Sequence, residues 1–152
     1  MLSMRREAPG MKVRFKKLHP TAVLPSYAKP EDAGLDLTAT SCHFDDVKRC
    51  WVYGTGLAVE IPEGYVGLIY PRSSICKIAL SLSNSVGVVD SGYRGEIKFF
   101  FNPETRGDYK LYQVGDRIGQ MIIVPFPQIE VEEASELSTS ERGEGGFGSS
   151  GQ

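Results

Sequence analysis

The sequence predicts a single all-β domain, a sandwich, jelly roll or barrel of short strands, and three observations carry that reading. The 152 residues include 17 Gly and 9 Pro, a load of breakers that long helices do not tolerate, since Gly costs a helix interior about 1 kcal/mol and Pro about 3. Apolar residues recur in short runs or alternation, divided by turn residues at the close spacing of an all-β chain. Finally, 41% of residues are hydrophobic and 10% aromatic at a net charge of −2, enough for a core and too weakly charged for disorder.

Residues 1–10 are polar and irregular, and a flexible extension is expected there. From Met11 onward Val13 and Phe15 alternate with Lys12, Arg14 and Lys16, which predicts the first strand. Further strands are expected at Leu35–Ala39, Trp51–Tyr53, Leu57–Ile61, Tyr65–Tyr70, Glu96–Phe101, Arg117–Phe126 and Ile129–Val131. Turns are supplied by Pro62-Glu63-Gly64, Asp90-Ser91-Gly92, Asn102-Pro103 and Gly115-Asp116. One segment departs from this rhythm. Ile75, Ile78, Ala79 and Leu82 fall at helical spacing, with Ser73 and Ser74 ahead of them as N-cap candidates, and predict one short helix. The β-domain is thus placed at residues 11–133. Beyond it the chain turns rich in Glu and Ser and then runs Arg142-Gly-Glu-Gly-Gly-Phe-Gly-Ser-Ser-Gly151. Such a glycine density is costly to order, so residues 134–152 are expected to form a mobile arm.

Charge is lopsided along the chain: Arg5, Arg6, Lys12, Arg14, Lys16 and Lys17 near the start, six Glu across residues 130–144. Both read as solvated surface, and the overall charge gives no attraction to nucleic acid or to an anionic membrane. No apolar stretch approaches the roughly 20 residues of a membrane span, and the start lacks the apolar core of a signal peptide, so a cytoplasmic protein is expected. Cys42, Cys50 and Cys76 cannot all pair within one chain, which suits a reducing compartment. Cys42, His43 and Cys50 lack the fourth ligand of a structural zinc site.

Five segments could carry chemistry. Gly143 to Gly148 fits GxGxxG, but no strand-then-helix context accompanies it; its backbone N–H groups and Arg142 suit phosphate oxygens, and a plain Gly/Ser tail explains it as well. Pro71-Arg72-Ser73-Ser74 stands where the helix is predicted to begin, as an anion site or as simple capping. Asn84 to Glu96 is hairpin-like and carries Asp90 and Tyr93, which ordinary turn chemistry and packing also explain. In Ala33 to Ala39, alternation places Asp36 and Thr38 opposite Leu35, Leu37 and Ala39. In Arg117 to Ile123 it places Gln120 on the face of Ile118 and Ile122, where an amide needs a partner.

Together the five segments resemble the ordered motifs of the trimeric deoxyuridine triphosphatase (dUTPase) family. Ala33–Ala39 resembles AGxDLxA, Pro71–Ile75 resembles PRSG with a following apolar residue, and Gly87–Glu96 resembles G(V/I)(V/I)DxDYRGE. Arg117–Gln120 resembles RIAQ, and Arg142–Gly151 resembles RGxGGFGSTG. The resemblance covers Ala33 to Gly151 in order. Ser74 and Gly119 replace the usual Gly and Ala, and Gly92 the usual second acid.

The resemblance implies a jelly-roll-like β-fold, a homotrimer whose active sites draw motifs from three subunits, and Mg²⁺-assisted hydrolysis of dUTP to dUMP and pyrophosphate. That reaction keeps uracil out of DNA and supplies dUMP for dTMP synthesis. Asp90 is then the base that deprotonates the attacking water, and Tyr93 lies under the deoxyribose. Asn84, Gly87, Val89 and Lys98 belong to the nucleoside side. Arg72, Ser73, Ser74 and Gln120 face the phosphates, with Asp36 in support. Arg142, Phe147, Gly148, Ser149 and Ser150 close over the nucleotide, Phe147 on uracil. Mg²⁺ is held by the triphosphate and water, without a direct side-chain ligand.

Two alternatives share the fold. A dCTP deaminase needs a glutamate in the strand after the third motif, where this chain reads Ile97-Lys-Phe-Phe-Phe101. A non-catalytic nucleotide-binding module would not require Asp90, Gln120 and a complete tail. A structural jelly roll explains the strands and leaves the motifs unexplained.

Overall fold

The computed structural model describes residues 10–105 and 110–147. Ten strands run in the order β1 Arg14–Lys17, β2 Leu35–Thr38, β3 Ser41–Asp45, β4 Cys50–Gly54, β5 Leu57–Glu60, β6 Tyr65–Tyr70, β7 Leu80–Leu82, β8 Gly87–Val89, β9 Lys98–Pro103 and β10 Arg117–Pro125. They form two four-stranded sheets, β2-β10-β6-β8 and β3-β4-β9-β7, and a two-stranded β1-β5 ribbon. Every pairing is antiparallel. This is the all-β fold that the breaker content and short runs predict.

Both large sheets contribute to one core. Leu37 and Met121 of the first sheet and Tyr53, Phe99 and Phe101 of the second are fully enclosed in it, together with Leu57 of the ribbon. Phe99 and Phe101 stack nearly parallel at 5.8 Å, and Tyr53 meets Phe101 edge-on at 5.7 Å. Thr55, enclosed between β4 and β5, donates its hydroxyl to Ile97 O at 2.7 Å, which satisfies the buried polar group.

Several expectations need correction. Ser73–Lys77 is a single 3-10 helix rather than an α-helix reaching Leu82, and its N-cap is Arg72, with no side-chain cap hydrogen bond. Ser73 and Ser74 lie inside the turn, not ahead of it. The apolar spacing misled because Leu82 belongs to β7, whose Leu-Ser-Leu buries alternate residues, as a strand does. The last of the sandwich strands before β10 is shifted: β9 includes Asn102 and Pro103, which pair with Ser81 and Leu80. Ile129–Val131 forms no strand and leaves Ile129 and Val131 exposed. The short strands β3, β7 and β8 were not foreseen. Of the extension expected at residues 1–10, residues 1–9 lie outside the described residues.

Candidate active site

Asp36 lies in β2 opposite Gln120 of β10, and Gln120 in turn lies opposite Tyr70 at the end of β6. This ladder brings three sequence-distant segments to one edge. Gln120 Nε2 donates to Pro71 O at 2.9 Å, which supplies the partner that its amide requires and fixes the residue before Arg72. Gly34 makes room for it, since a Cβ there would overlap the Gln120 amide. Asp36 accepts Arg72 Nε at 2.9 Å through Oδ1 and Arg117 Nη1 at 2.9 Å through Oδ2. Asp36, Arg72, Ser73 and Gln120 border one open cavity of about 300 Å³. Ser74 stands beside it, with Oγ 3.5 Å from Arg72 Nη1.

The expected face of Gln120 holds only in part. A bulge between Arg117 and Gly119 turns Ile118 into the core, so Gln120 shares its side of β10 with Ile122 but not with Ile118. A period of two along residues 117–123 puts Ile118, Gln120 and Ile122 on one face, and a one-residue bulge leaves no composition signal.

A second cleft of about 370 Å³ lies at β8, the edge strand of its sheet. Asn84, Gly87, Val89, Asp90, Tyr93 and Lys98 all border it. The floor includes the apolar Ile69 and Ile97. A turn closes from Tyr93 N to Asp90 O at 3.0 Å, and Tyr93 Oη donates to Glu96 O at 3.0 Å, which props the ring at the rim. Asp90 is exposed, and its carboxylate has no protein partner among the described hydrogen bonds, leaving both side-chain oxygens open to water. Glu96, missed as a site residue, accepts Gly56 N at 2.9 Å and lies 3.5 Å from Lys98 Nζ, holding that ammonium at the cleft. Arg117 was missed as well, although it opens the fourth motif.

Among the described residues of the tail, none borders either cleft. Arg142 Nε donates to Gly145 O at 2.8 Å, Gly143 N bonds Ser140, and Phe147 is fully exposed with a left-handed backbone at φ 52°. Gly148, Ser149 and Ser150 lie outside the described residues. Cys42, Cys50 and Cys76 are free thiols, and no group of three or more His, Cys, Asp or Glu side chains gathers among the described residues.

A family model described as dUTPase matches residues 21–151. The deoxyuridine 5'-triphosphate nucleotidohydrolase of Helicobacter hepaticus is 41% identical over 142 residues, 93% of this chain and 89% of that protein. The enzyme of the same name from a Hydrogenobaculum species is 43% identical over 148 residues, covering 93% and 99%. Among solved structures, the Staphylococcus bacteriophage 80alpha dUTPase with dUPNHPP superposes with a TM-score of 0.76 at 30% identity, over 93% of this chain and 99% of that one.

Proposed function

The chain belongs to the dUTPase family and is an enzyme of it, a dUTP nucleotidohydrolase; from that premise we propose how its own residues hydrolyse dUTP to dUMP and pyrophosphate. The carrying observation is the Asp90–Tyr93 turn at the end of the edge strand β8. It sets an open carboxylate and an aromatic ring on the rim of a cleft whose volume, about 370 Å³, lies in the range of small-ligand sites.

A pyrimidine nucleoside enters that cleft with its base against β8 and Asn84 and its sugar on Tyr93. An edge strand offers unpaired N–H and C=O groups, which read a uracil edge without further side chains. Asp90 takes a proton from a water, whose oxygen bonds to the α-phosphorus as the bond to the bridging oxygen breaks, and pyrophosphate carries the electron pair away. Positioning and charge neutralisation do most of the work in such a displacement. Arg72, Ser73, Ser74 and Gln120 bind the phosphates, and Asp36 holds Arg72 for that task. When bound to the triphosphate, Mg²⁺ would supply charge neutralisation there. Asp36, whose two oxygens already accept arginines, suits a place among its waters better than direct ligation.

In one chain the nucleoside cleft, the phosphate cluster and the described part of the tail are separate, an arrangement that supports a homotrimer in which each site combines parts of three copies. Residues 134–152 then act as the arm that closes over the nucleotide of another copy, with Arg142 and the serines on the γ-phosphate and Phe147 on uracil, and residues 11–133 as the body. No helix among the described residues is long and apolar enough to cross a membrane. A cytoplasmic location is part of this proposal.

The test incubates the protein with dUTP, dCTP, dTTP and UTP in the presence of Mg²⁺ and identifies products. Pyrophosphate from dUTP alone is expected. Ammonia from dCTP would transfer the reading to a deaminase, and binding without products would make it a nucleotide-binding module.

A further inference from the structure

Tyr112 presents a buried polar group that its packing does not explain. It is only 5% exposed, and its ring lies edge-on to Tyr53 at 6.2 Å and tilted against Phe101 at 5.8 Å. Its backbone O accepts Tyr53 Oη at 3.0 Å. A phenylalanine would make every one of these contacts. The Tyr112 hydroxyl is nevertheless buried with no hydrogen-bond partner among the described residues, a state folded proteins ordinarily avoid. Tyr112 borders a cavity of about 580 Å³ shared with Arg72 and Arg117. Arg72, which lines the same cavity, ties Tyr112 to Ser74, although the Tyr112–Ser74 pair does not itself reach hydrogen-bond geometry; burial raises the Tyr112 pKa, while the Ser74 hydroxyl and then the Arg72 charge oppose that rise. Ser74 Oγ, in turn, is 3.5 Å from Arg72 Nη1.

We infer that Tyr112 is a positioning residue for the triphosphate, acting through Ser74. A serine hydroxyl has two acceptor lone pairs and one donor. When Tyr112 Oη–H and Arg72 Nη1–H both donate to Ser74 Oγ, the acceptor capacity is filled and the one proton is left for an anionic oxygen. The serine is thereby fixed as a donor toward phosphate, and Arg72 is steadied on its second side, opposite the Asp36 contact. A glycine at residue 74 could offer only its backbone N–H. This inference rests on the reading of Arg72 as a phosphate-binding residue.

Tyr112→Phe and Ser74→Gly, alone and combined, are compared with wild type in dUTP turnover and in binding of a non-hydrolysable imido analogue of dUTP and of dUMP. Each single variant is expected to raise KM for dUTP and weaken analogue binding by roughly tenfold, the scale of a lost hydrogen bond in a charged network. Affinity for dUMP should stay within about twofold, and the double variant should lose no more than either single one. Thermal melting of Tyr112→Phe without nucleotide should be unchanged or higher, because the buried hydroxyl forms no hydrogen bond that the fold would lose. Wild-type KM and analogue affinity in Tyr112→Phe would overturn the inference, as would equal losses for dUMP or additive losses in the double variant. Arg72→Lys separates the two layers: undiminished analogue binding there overturns the phosphate assignment itself, whereas a loss there with wild-type behaviour of Tyr112→Phe overturns only the role of the hydroxyl.

Discussion

Arg72 Nε donates to Asp36 Oδ1 across 2.9 Å, while the other oxygen of the same carboxylate accepts Arg117 Nη1 at 2.9 Å. Asp36 is thus the anchor of two cations from different segments, and its side chain is only 14% exposed. In Asp36→Asn, one acceptor oxygen becomes a donor facing a guanidinium. A loss of about 1–2 kcal/mol is expected, discounted from the buried-pair scale because Arg117 is half exposed. With Arg72 released, KM for dUTP should rise roughly tenfold. Melting curves and steady-state kinetics check both, and an unchanged KM would show that Arg72 does not need this anchor.

Gly119 abuts Phe99. The site of the bulge beside Ile118 brings the β10 backbone so close that a Cβ at residue 119 would overlap the Phe99 ring and come within 3.0 Å of Tyr70 O. Phe99 has no exposure and stacks on Phe101, so it has little room to yield. Gly119→Ala, which restores the usual residue of the resembling motif, should therefore destabilise by about 1–3 kcal/mol, the cost of overpacking. Adding Phe99→Leu should recover part of that loss. Denaturant midpoints of the two single variants and the double one measure the coupling; strict additivity would mean that the ring is not what excludes the alanine.

That pair also marks where sequence reading stops. A short apolar run located β6 to the residue, because Pro62-Glu63-Gly64 bounds Tyr65–Tyr70 in front. The 3-10 turn, β7 and the bulge were misread or missed because each spans too few residues for a period to establish itself. Arg72 and Asp90 were legible through motif spacing. Arg117 and Glu96 were not, since their importance lies in what they hold, Asp36 and Lys98, and such contacts are made by the fold alone. Tyr112 gave no signal, because one tyrosine between Leu111 and Gln113 looks like any core aromatic.

Asp90→Asn isolates the proposed base. The residue is exposed and lies just after β8, so the change should leave stability unaltered within the usual surface range of about 0.5 kcal/mol. Binding of dUTP should persist, and kcat should fall at least ~10²-fold, the scale of a lost general base. Single-turnover kinetics with dUTP measure the step directly. Wild-type turnover would mean that another group deprotonates the water.

Alkaline pH should weaken the fold through its enclosed tyrosines. Burial raises the pKa of Tyr53 strongly and also raises that of Tyr112. The folded state therefore holds these protons more tightly than the unfolded chain does. The stabilisation is fully present below the unfolded tyrosine pKa near 10 and is lost as pH rises from there through the higher folded values, because the unfolded state then binds fewer protons. Urea midpoints should decline from about pH 10 upward. Tyr53→Phe should start less stable, having lost the bond to Tyr112 O, and decline less steeply. Equal slopes would place the alkaline sensitivity elsewhere.

The arm tests the division between body and lid. The hydrogen bonds described for residues 140–145 stay within that stretch, and Leu137 and Phe147 are exposed, so the body gains little from the tail within one chain. Truncation after Ser140 should therefore leave stability within about 0.5 kcal/mol of the full chain and leave the oligomer intact in light scattering. Turnover of dUTP should vanish, because Arg142 and Phe147 are removed and water is no longer excluded from the site. The two readouts oppose each other by design: a truncated chain that melts earlier or dissociates would make the tail a structural strap, whereas one that retains turnover would leave the glycine-rich end without a catalytic part.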